Sequence, residues 1–289
     1  MKKLLILANV IFTVFAGVAK DRDIVSEARK SNMEFKKIDV SRCVCVIVEE
    51  RKEGNIIIRA EHAVMPHVEL EVRDSTLYAT ISNSYKIQNR SPKVEILVPY
   101  NGKINEIECR GAASVILKPI IKQELFKVDC SGASNVEFSS ESVTTNVGCR
   151  GASSVIGNAT SQKYNVACSG ASSVKSIIKC TQMSCECIGA SKLYIEGSVQ
   201  KAELECSGAS KANIEKLQCE NLKANVTRGS QAYITAANCD VTCSGASKAK
   251  ANCSTRLDVE VSGASNVTYS GECYIGKLEN HFGTIKKKQ

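Results

Sequence analysis

The cysteines are the residues whose spacing most directly suggests chemistry. The chain has 289 residues and 15 cysteines, and seven of these stand two residues before a glycine. Thiols at equivalent positions of a repeat can pack as small apolar groups, form disulfides or bind a metal. The seven are predicted to form one column: Cys109, Cys130, Cys149, Cys168, Cys187, Cys206 and Cys243.

Packing is the interpretation that this spacing favours. Seven equivalent thiols are typical of a buried, reduced column, although neighbours in adjacent coils could reach disulfide distance. The odd count leaves at least one thiol without a partner in the chain. Cys185 and Cys187 flank Glu186, but alternation along a strand points both inward, so no metal or other cofactor is expected. Further cysteines suggest a second column: Cys219, Cys239, Cys253 and Cys273.

Carboxylates and imidazoles are poorly placed for catalysis. Hydrolysis of a polysaccharide needs paired carboxylates, or a metal with a base. The three histidines lie outside the repeats, and the aspartates within them are scattered: His62, His67 and His281, then Asp129, Asp240 and Asp258. The sequence therefore predicts a protein that is not an enzyme, with a polysaccharide-active enzyme as the less favoured alternative.

Basic residues recur beside the glycines and are the candidate binding residues. Three arginines stand directly before a glycine: Arg110, Arg150 and Arg228. Three lysines follow the repeated serine: Lys192, Lys211 and Lys248. Such ladders could hold an anionic glycan or a protein partner, and the alternative is that they are simply solvated faces. The net charge is +8, but no aromatic residues interleave to stack bases, so no nucleic-acid partner is expected.

Nine glycines mark a repeat with a period near 19 residues. Their successive spacings are 21, 19, 19, 19, 19, 21, 16 and 18, which is typical of a solenoid built from stacked coils. Glycine permits a sharp corner at each of these positions. The corner glycines are Gly111, Gly132, Gly151, Gly170, Gly189, Gly208, Gly229, Gly245 and Gly263.

Alternation on both sides of each corner predicts strands. Ala202, Leu204 and Cys206 alternate with polar residues, as in a strand with one buried face. Stacked coils of this kind form an all-β, single-stranded parallel β-helix. Thr227 is predicted to replace cysteine before Gly229, as Val261 does in the last repeat. A serine column follows the corners and can bond to the local backbone: Ser134, Ser153, Ser172, Ser191, Ser210, Ser247 and Ser265.

Three segments are predicted along the chain. Residues 1–19 combine two lysines, a short apolar run and small residues, which indicates a signal peptide, with an uncleaved anchor as the alternative. No later stretch is apolar enough for a transmembrane helix. Residues 22–107 are predicted to be irregular coils and an N-terminal cap. Residues 108–289 are predicted to be the regular coils with a C-terminal cap.

The pattern resembles the family described as putative auto-transporter adhesin, head GIN domain. The resemblance rests on Phe35–Val40, on Val94–Pro99 and on the Cys-Ser-Gly-Ala-Ser coils, and it covers roughly residues 35–270. It implies a right-handed β-helix outside the cytoplasm. We therefore expect an exported, adhesin-like or cell-envelope binding module in the periplasm or at the cell surface, with a glycan or protein partner. The alternative is a structural envelope element that assembles end to end.

Overall fold

The computed structural model describes residues 11–12, 23–30, 34–51, 54–87 and 91–288. Apart from residues 11–12, the predicted signal peptide lies outside these ranges. Within them, the regular structure is β except for one turn of 3-10 helix, Met65–His67. This agrees with the prediction of an all-β fold.

The first nine strands are short, and they form both antiparallel and parallel pairs. They are β1 (Ile11–Phe12), β2 (Ile24–Arg29), β3 (Lys37–Val40), β4 (Val44–Glu49), β5 (Ile56–Glu61), β6 (Val68–Arg73), β7 (Thr76–Ile81), β8 (Val94–Pro99) and β9 (Glu106–Cys109). Strand β5 pairs antiparallel with β2 and β8, and β6 pairs antiparallel with β7. Strands β3 and β4 already stack in parallel on the coil that follows them, through β9 and β10.

The remaining strands wrap successive coils. They are β10 (Ser114–Cys130), β11 (Asn135–Cys149), β12 (Ser154–Cys168), β13 (Ser173–Cys187), β14 (Lys192–Cys206), β15 (Lys211–Ile214), β16 (Leu217–Val226), β17 (Gln231–Cys243), β18 (Lys248–Ser262), β19 (Asn266–Ser270), β20 (Tyr274–His281) and β21 (Thr284–Lys287). Each pairs in parallel with the equivalent strand of the next coil. The prediction of a parallel β-solenoid is confirmed, with about 10 turns and a spacing of about 19 residues.

Alternating burial explains why these residues form strands around a narrow interior. In β13, buried residues alternate with exposed ones on both sides of a bend near its middle. The column from Cys109 to Cys206 is buried, and so is the ring of Tyr164, whose hydroxyl lies 2.6 Å from that of Ser176. Larger rings also stack in the interior, where the ring centres of Phe126 and Phe138 lie 5.3 Å apart.

Each corner brings two backbones into direct contact. The amide of Ala133 donates a hydrogen bond to the carbonyl of Gly111 at 2.6 Å, and Ala152 donates in the same way to Gly132 at 2.7 Å. Gly132 has φ 78°, and a Cβ there would lie 2.8 Å from the Gly111 carbonyl oxygen. Glycine is required here twice over, because the backbone is left-handed and the preceding coil leaves no space.

The serines that follow the corners are buried, and several of them bond two coils. The hydroxyl of Ser153 lies 2.6 Å from the Arg150 carbonyl, in its own corner, and 3.1 Å from the Cys130 carbonyl, in the coil before. Ser134 and Ser191 make the same pair of contacts. The serine hydroxyl therefore links the carbonyl of its own corner to a carbonyl of the coil before, and the Cys130 carbonyl also accepts a hydrogen bond from the Arg150 amide at 2.9 Å.

One corner differs from the sequence prediction by one position. Val226 pairs in register with the cysteines of both neighbouring coils, so Val226, and not Thr227, takes the cysteine position. Arg228 then occupies the corner-glycine position with φ 55°, and Gly229 follows it. The serine position is filled by Ser230, which is buried. The parallel ladder decides this register, because it keeps apolar Val226 inside the coil.

The seven column cysteines are free and buried, whereas Cys239 and Cys253 form a disulfide between neighbouring coils. This disulfide joins two of the four cysteines that were suggested as a second column. Hydrogen bonding with Cys130 and burial raise the pKa of the Cys149 thiol far above its usual range. Burial, together with the nearby Cys219, raises the pKa of Cys180 to about 11. These two interior thiols are therefore held in the neutral form, which is the form that packs as an apolar group.

Two glycine substitutions separate backbone strain from coil contact. Gly102 has φ 75°, almost the value of Gly132, but a Cβ at Gly102 would meet nothing within 4 Å. We expect Gly102→Ala to cost about 1–2 kcal/mol, from the left-handed backbone alone. Gly132→Ala should cost about 1–3 kcal/mol more, because the added methyl group also displaces the preceding coil. Urea unfolding of both variants measures the difference, and equal losses would contradict the contact argument.

Candidate binding face

The structure divides the six predicted binding residues into two groups. Arg110 belongs to an ion pair that holds the first coils together. Its Nη2 lies 2.7 and 2.6 Å from the two carboxylate oxygens of Asp39, and its Nη1 lies 2.8 Å from Glu108. Asp39 is only 6% exposed. Burial raises the pKa of Asp39, and the Arg110 guanidinium opposes that shift.

The other two arginines do not extend a ladder from Arg110. Arg150 is exposed, and its guanidinium lies 3.5 Å from the carboxylate of Asp129. Arg228 sits in a corner, where the repeat otherwise has glycine. The position directly before that corner belongs to Thr227, by the register described above. The predicted arginine ladder is therefore wrong at Arg228, and its other two members contact carboxylates.

The three lysines share one outward position on the strands that leave the corners. Lys192 pairs in register with Lys211, Gln231 follows in the next coil, and Lys248 comes after it. Within the described ranges, these three ammonium groups have no carboxylate within 4 Å. Adjacent like charges without counter-ions raise the local positive potential of this surface.

A second outward column runs beside the lysines and was missed from the sequence. It lies two residues further along each strand: Lys175, Tyr194, Asn213, Tyr233 and Lys250. The period of two in a strand, applied to the residues after each corner lysine, would have found it. We call the two columns together the lysine–tyrosine face, made of Lys175, Lys192, Tyr194, Lys211, Asn213, Gln231, Tyr233, Lys248 and Lys250.

Tyr233 organises two ammonium groups on this face. The Nζ atoms of Lys211 and Lys250 lie 4.9 and 5.3 Å from the centre of its ring. Each contact is a cation–π interaction, which is worth about 0.5–1 kcal/mol at an exposed site. The tyrosine therefore holds the charges of two columns close to one another.

A groove of about 400 Å³ opens at the side of the face. It arises because one coil has an extra residue: Tyr194 pairs with Asn213, 19 positions on, whereas Gly197 pairs with Leu217, 20 positions on. Residues 215–216 leave the strand there. The groove is lined by an aromatic ring, an amide, two carboxylates and two ammonium groups: Lys175, Tyr194, Ile195, Glu196, Asn213, Glu215 and Lys216.

Two of the charged side chains that line the groove are paired with each other. The ammonium group of Lys216 lies 3.2 Å from the carboxylate of Glu196. Among the described residues, no cluster of three or more histidine, cysteine, aspartate or glutamate side chains is arranged to hold a metal ion. No helix in the described part of the chain is long and apolar enough to cross a membrane.

Fold and surface together define a parallel β-solenoid with an exposed face of lysines and tyrosines. The family model described as "Putative auto-transporter adhesin, head GIN domain" matches residues 34–176 and 145–239, which is more than half of the chain. The chain therefore belongs to this family, as the sequence resemblance predicted. A search of curated proteins finds no match.

Solved structures share the fold at low sequence identity. One is a putative adhesin from Parabacteroides distasonis, 14% identical, with a TM-score of 0.53 over 93% of this chain and 98% of that chain. Another is a putative adhesin from Parabacteroides merdae, 13% identical, with a TM-score of 0.52 over 93% and 97%. At such identities the likeness shows the fold alone.

Substitution of Arg110 and of Arg150 distinguishes a structural ion pair from a surface contact. Arg110→Met leaves Asp39 buried without its partner, so we expect a loss of about 1–3 kcal/mol at neutral pH. Arg150→Met should cost less than about 1 kcal/mol, because its pair is exposed. Urea midpoints with unchanged m-values measure both effects.

The loss in Arg110→Met should also depend on pH. Because Asp39 has a raised pKa in the folded protein, its protonation favours folding as the pH falls. Without Arg110 to hold the carboxylate, that pKa rises further, and the deficit against the wild type should shrink between about pH 7 and pH 4. A deficit that stays constant over this range would contradict a role for Asp39.

Proposed function

We propose that this protein is an exported, non-enzymatic, adhesin-like binding module of the cell envelope, acting in the periplasm or at the cell surface. Membership of the adhesin head family supports an external role, and the two solved structures named above are described as putative adhesins. The first 19 residues support export, because a charged start, an apolar run and small residues have the order of a signal peptide.

One observation carries the proposal of a binding role. Lys192, Lys211 and Lys248 project from one face, and none of the described carboxylates compensates them within 4 Å. The lysines on other faces, by contrast, include several with a carboxylate partner, such as Lys127 with Asp129 at 2.6 Å. A charged face without internal partners is suited to a partner outside the molecule.

Assembly of coils end to end is the second candidate. The last described strands, β20 and β21, pair with β18 and β19 on one side. Their coil exposes Tyr274, Leu278 and Phe282, with Phe282 98% exposed. An exposed strand edge with apolar side chains can pair with another chain.

Binding to an array of glycans and cell-envelope polymers tests the proposal. We expect saturable binding of the purified chain that is stronger at low salt than at physiological salt, because exposed charges are screened by ions. Changing Lys192, Lys211 and Lys248 together to Glu should abolish it. The matched control changes Lys163, Lys179 and Lys223 to Glu, which alters the net charge equally on other faces.

Three outcomes would overturn the proposal or part of it. Absence of binding by a well-folded protein would remove the binding role. Concentration-dependent fibres in sedimentation velocity, in the absence of binding, would favour the end-to-end structural role. Release of new reducing ends from a polysaccharide would contradict the non-enzymatic role.

A further inference from the structure

We propose that the lysine–tyrosine face binds a polyuronate, a polysaccharide with one carboxylate on each sugar ring, extended along the solenoid axis. The inference rests on the proposed function, since it names the ligand class of that binding face. It follows from the charge of the face, from the spacing of its coils, from the cation–π contacts of Tyr233 and from the groove beside the face.

The charge of the face is suited to an acidic polymer. Five successive coils carry five lysines, one positive charge per coil on average, although the coil of Gln231 has none and the next has two: Lys175, Lys192, Lys211, Lys248 and Lys250. Among the described residues, these ammonium groups have no carboxylate partner within 4 Å. A ligand that brings one carboxylate per sugar would balance this charge without rearranging any ion pair.

The spacing favours a chain that follows the axis. Neighbouring coils lie about 4.8 Å apart, which is close to the length that one pyranose ring adds to a polysaccharide chain. Each coil can therefore contact one sugar in turn. The five coils span about 19 Å, from the first to the last, enough for about five sugars.

The contacts of Tyr233 favour a polysaccharide over a nucleic acid. Binding of single-stranded nucleic acid relies on aromatic faces that are free to stack on bases. The ring of Tyr233 is instead covered by the ammonium groups of Lys211 and Lys250, at 4.9 and 5.3 Å. These contacts order the two charges before a ligand arrives, which lowers the entropy cost of binding.

The groove adds contacts that sugar hydroxyls can use. Asn213 and Glu215 already bond to each other, and Glu196 pairs with Lys216. Each of these side chains keeps a further hydrogen or lone pair for a sugar hydroxyl. Tyr194 provides an aromatic wall to the same groove. A sugar ring that enters here would meet hydrogen-bonding partners and an apolar surface at once, as saccharide hydroxyls and ring C–H groups require.

Oligogalacturonates of two to eight sugars, titrated by calorimetry against the full chain, test the proposal. Affinity should rise with length and level off at about five sugars, one for each coil of the face. Reduction of the uronates to the neutral galactose oligomers should remove binding. Lys211→Gln and Lys248→Gln should each weaken binding by about two- to fivefold, since each removes one exposed charge contact.

Matched variants control for charge and for folding. Lys163→Gln and Lys223→Gln remove the same charge from other faces and should leave affinity unchanged. Tyr233→Phe keeps the ring and should keep affinity, whereas Tyr233→Leu removes it and should weaken binding. Circular dichroism and the urea midpoint of each variant show that a change in affinity is not a change in fold.

The outcomes separate this inference from the proposed function. Binding of the polyuronate that depends on Lys211 and Lys248 supports the inference. Binding only to neutral glycans, or polyuronate binding that the lysine variants leave unchanged, overturns it and leaves the general binding role intact. Stronger binding of an oligonucleotide of equal charge would assign the face to nucleic acid instead. Absence of binding to any polymer overturns both.

Discussion

The close stacking of one corner on the next is the constraint on which the rest of the structure depends. The amide of one coil bonds to the corner-glycine carbonyl of the coil before, at 2.6 Å for Ala133 and Gly111. A Cβ at Gly132 would lie 2.8 Å from that oxygen. Because the corner fixes where each coil begins, it also fixes the register of the strands that follow. The buried serine column then holds the same corners together through carbonyls of two coils.

Register turns a sequence repeat into columns with separate roles. Inside, free cysteines stack as buried side chains, and valine takes the same place in the coil of Val226. This exchange indicates that the position needs size and apolar character rather than a thiol. Outside, the same register lines up side chains that are far apart in the chain. Lys211 and Lys250 meet over one tyrosine ring, although 39 residues separate them in sequence.

Irregular coils give the surface its local features. The solenoid would otherwise present similar flat faces along its length, since each coil repeats the last. One extra residue between Asn213 and Leu217 lifts two residues out of the strand, and this opens the groove beside the face. Such insertions change the outside of a coil without disturbing the interior, because the parallel pairing of the strands continues on both sides of the insertion.

The sequence by itself determined the solenoid, its period, its inward alternation and the membership of its family, since these depend on local patterns that every coil repeats. It also placed Lys192, Lys211 and Lys248 in equivalent positions. Tertiary structure decided the rest. Only the register of the strands shows that Arg228 stands at a corner-glycine position. Only the folded coils show that Arg110 is held by Asp39 and which lysines approach Tyr233. These depend on register shifts and on contacts between coils, which the spacing within a single repeat does not contain.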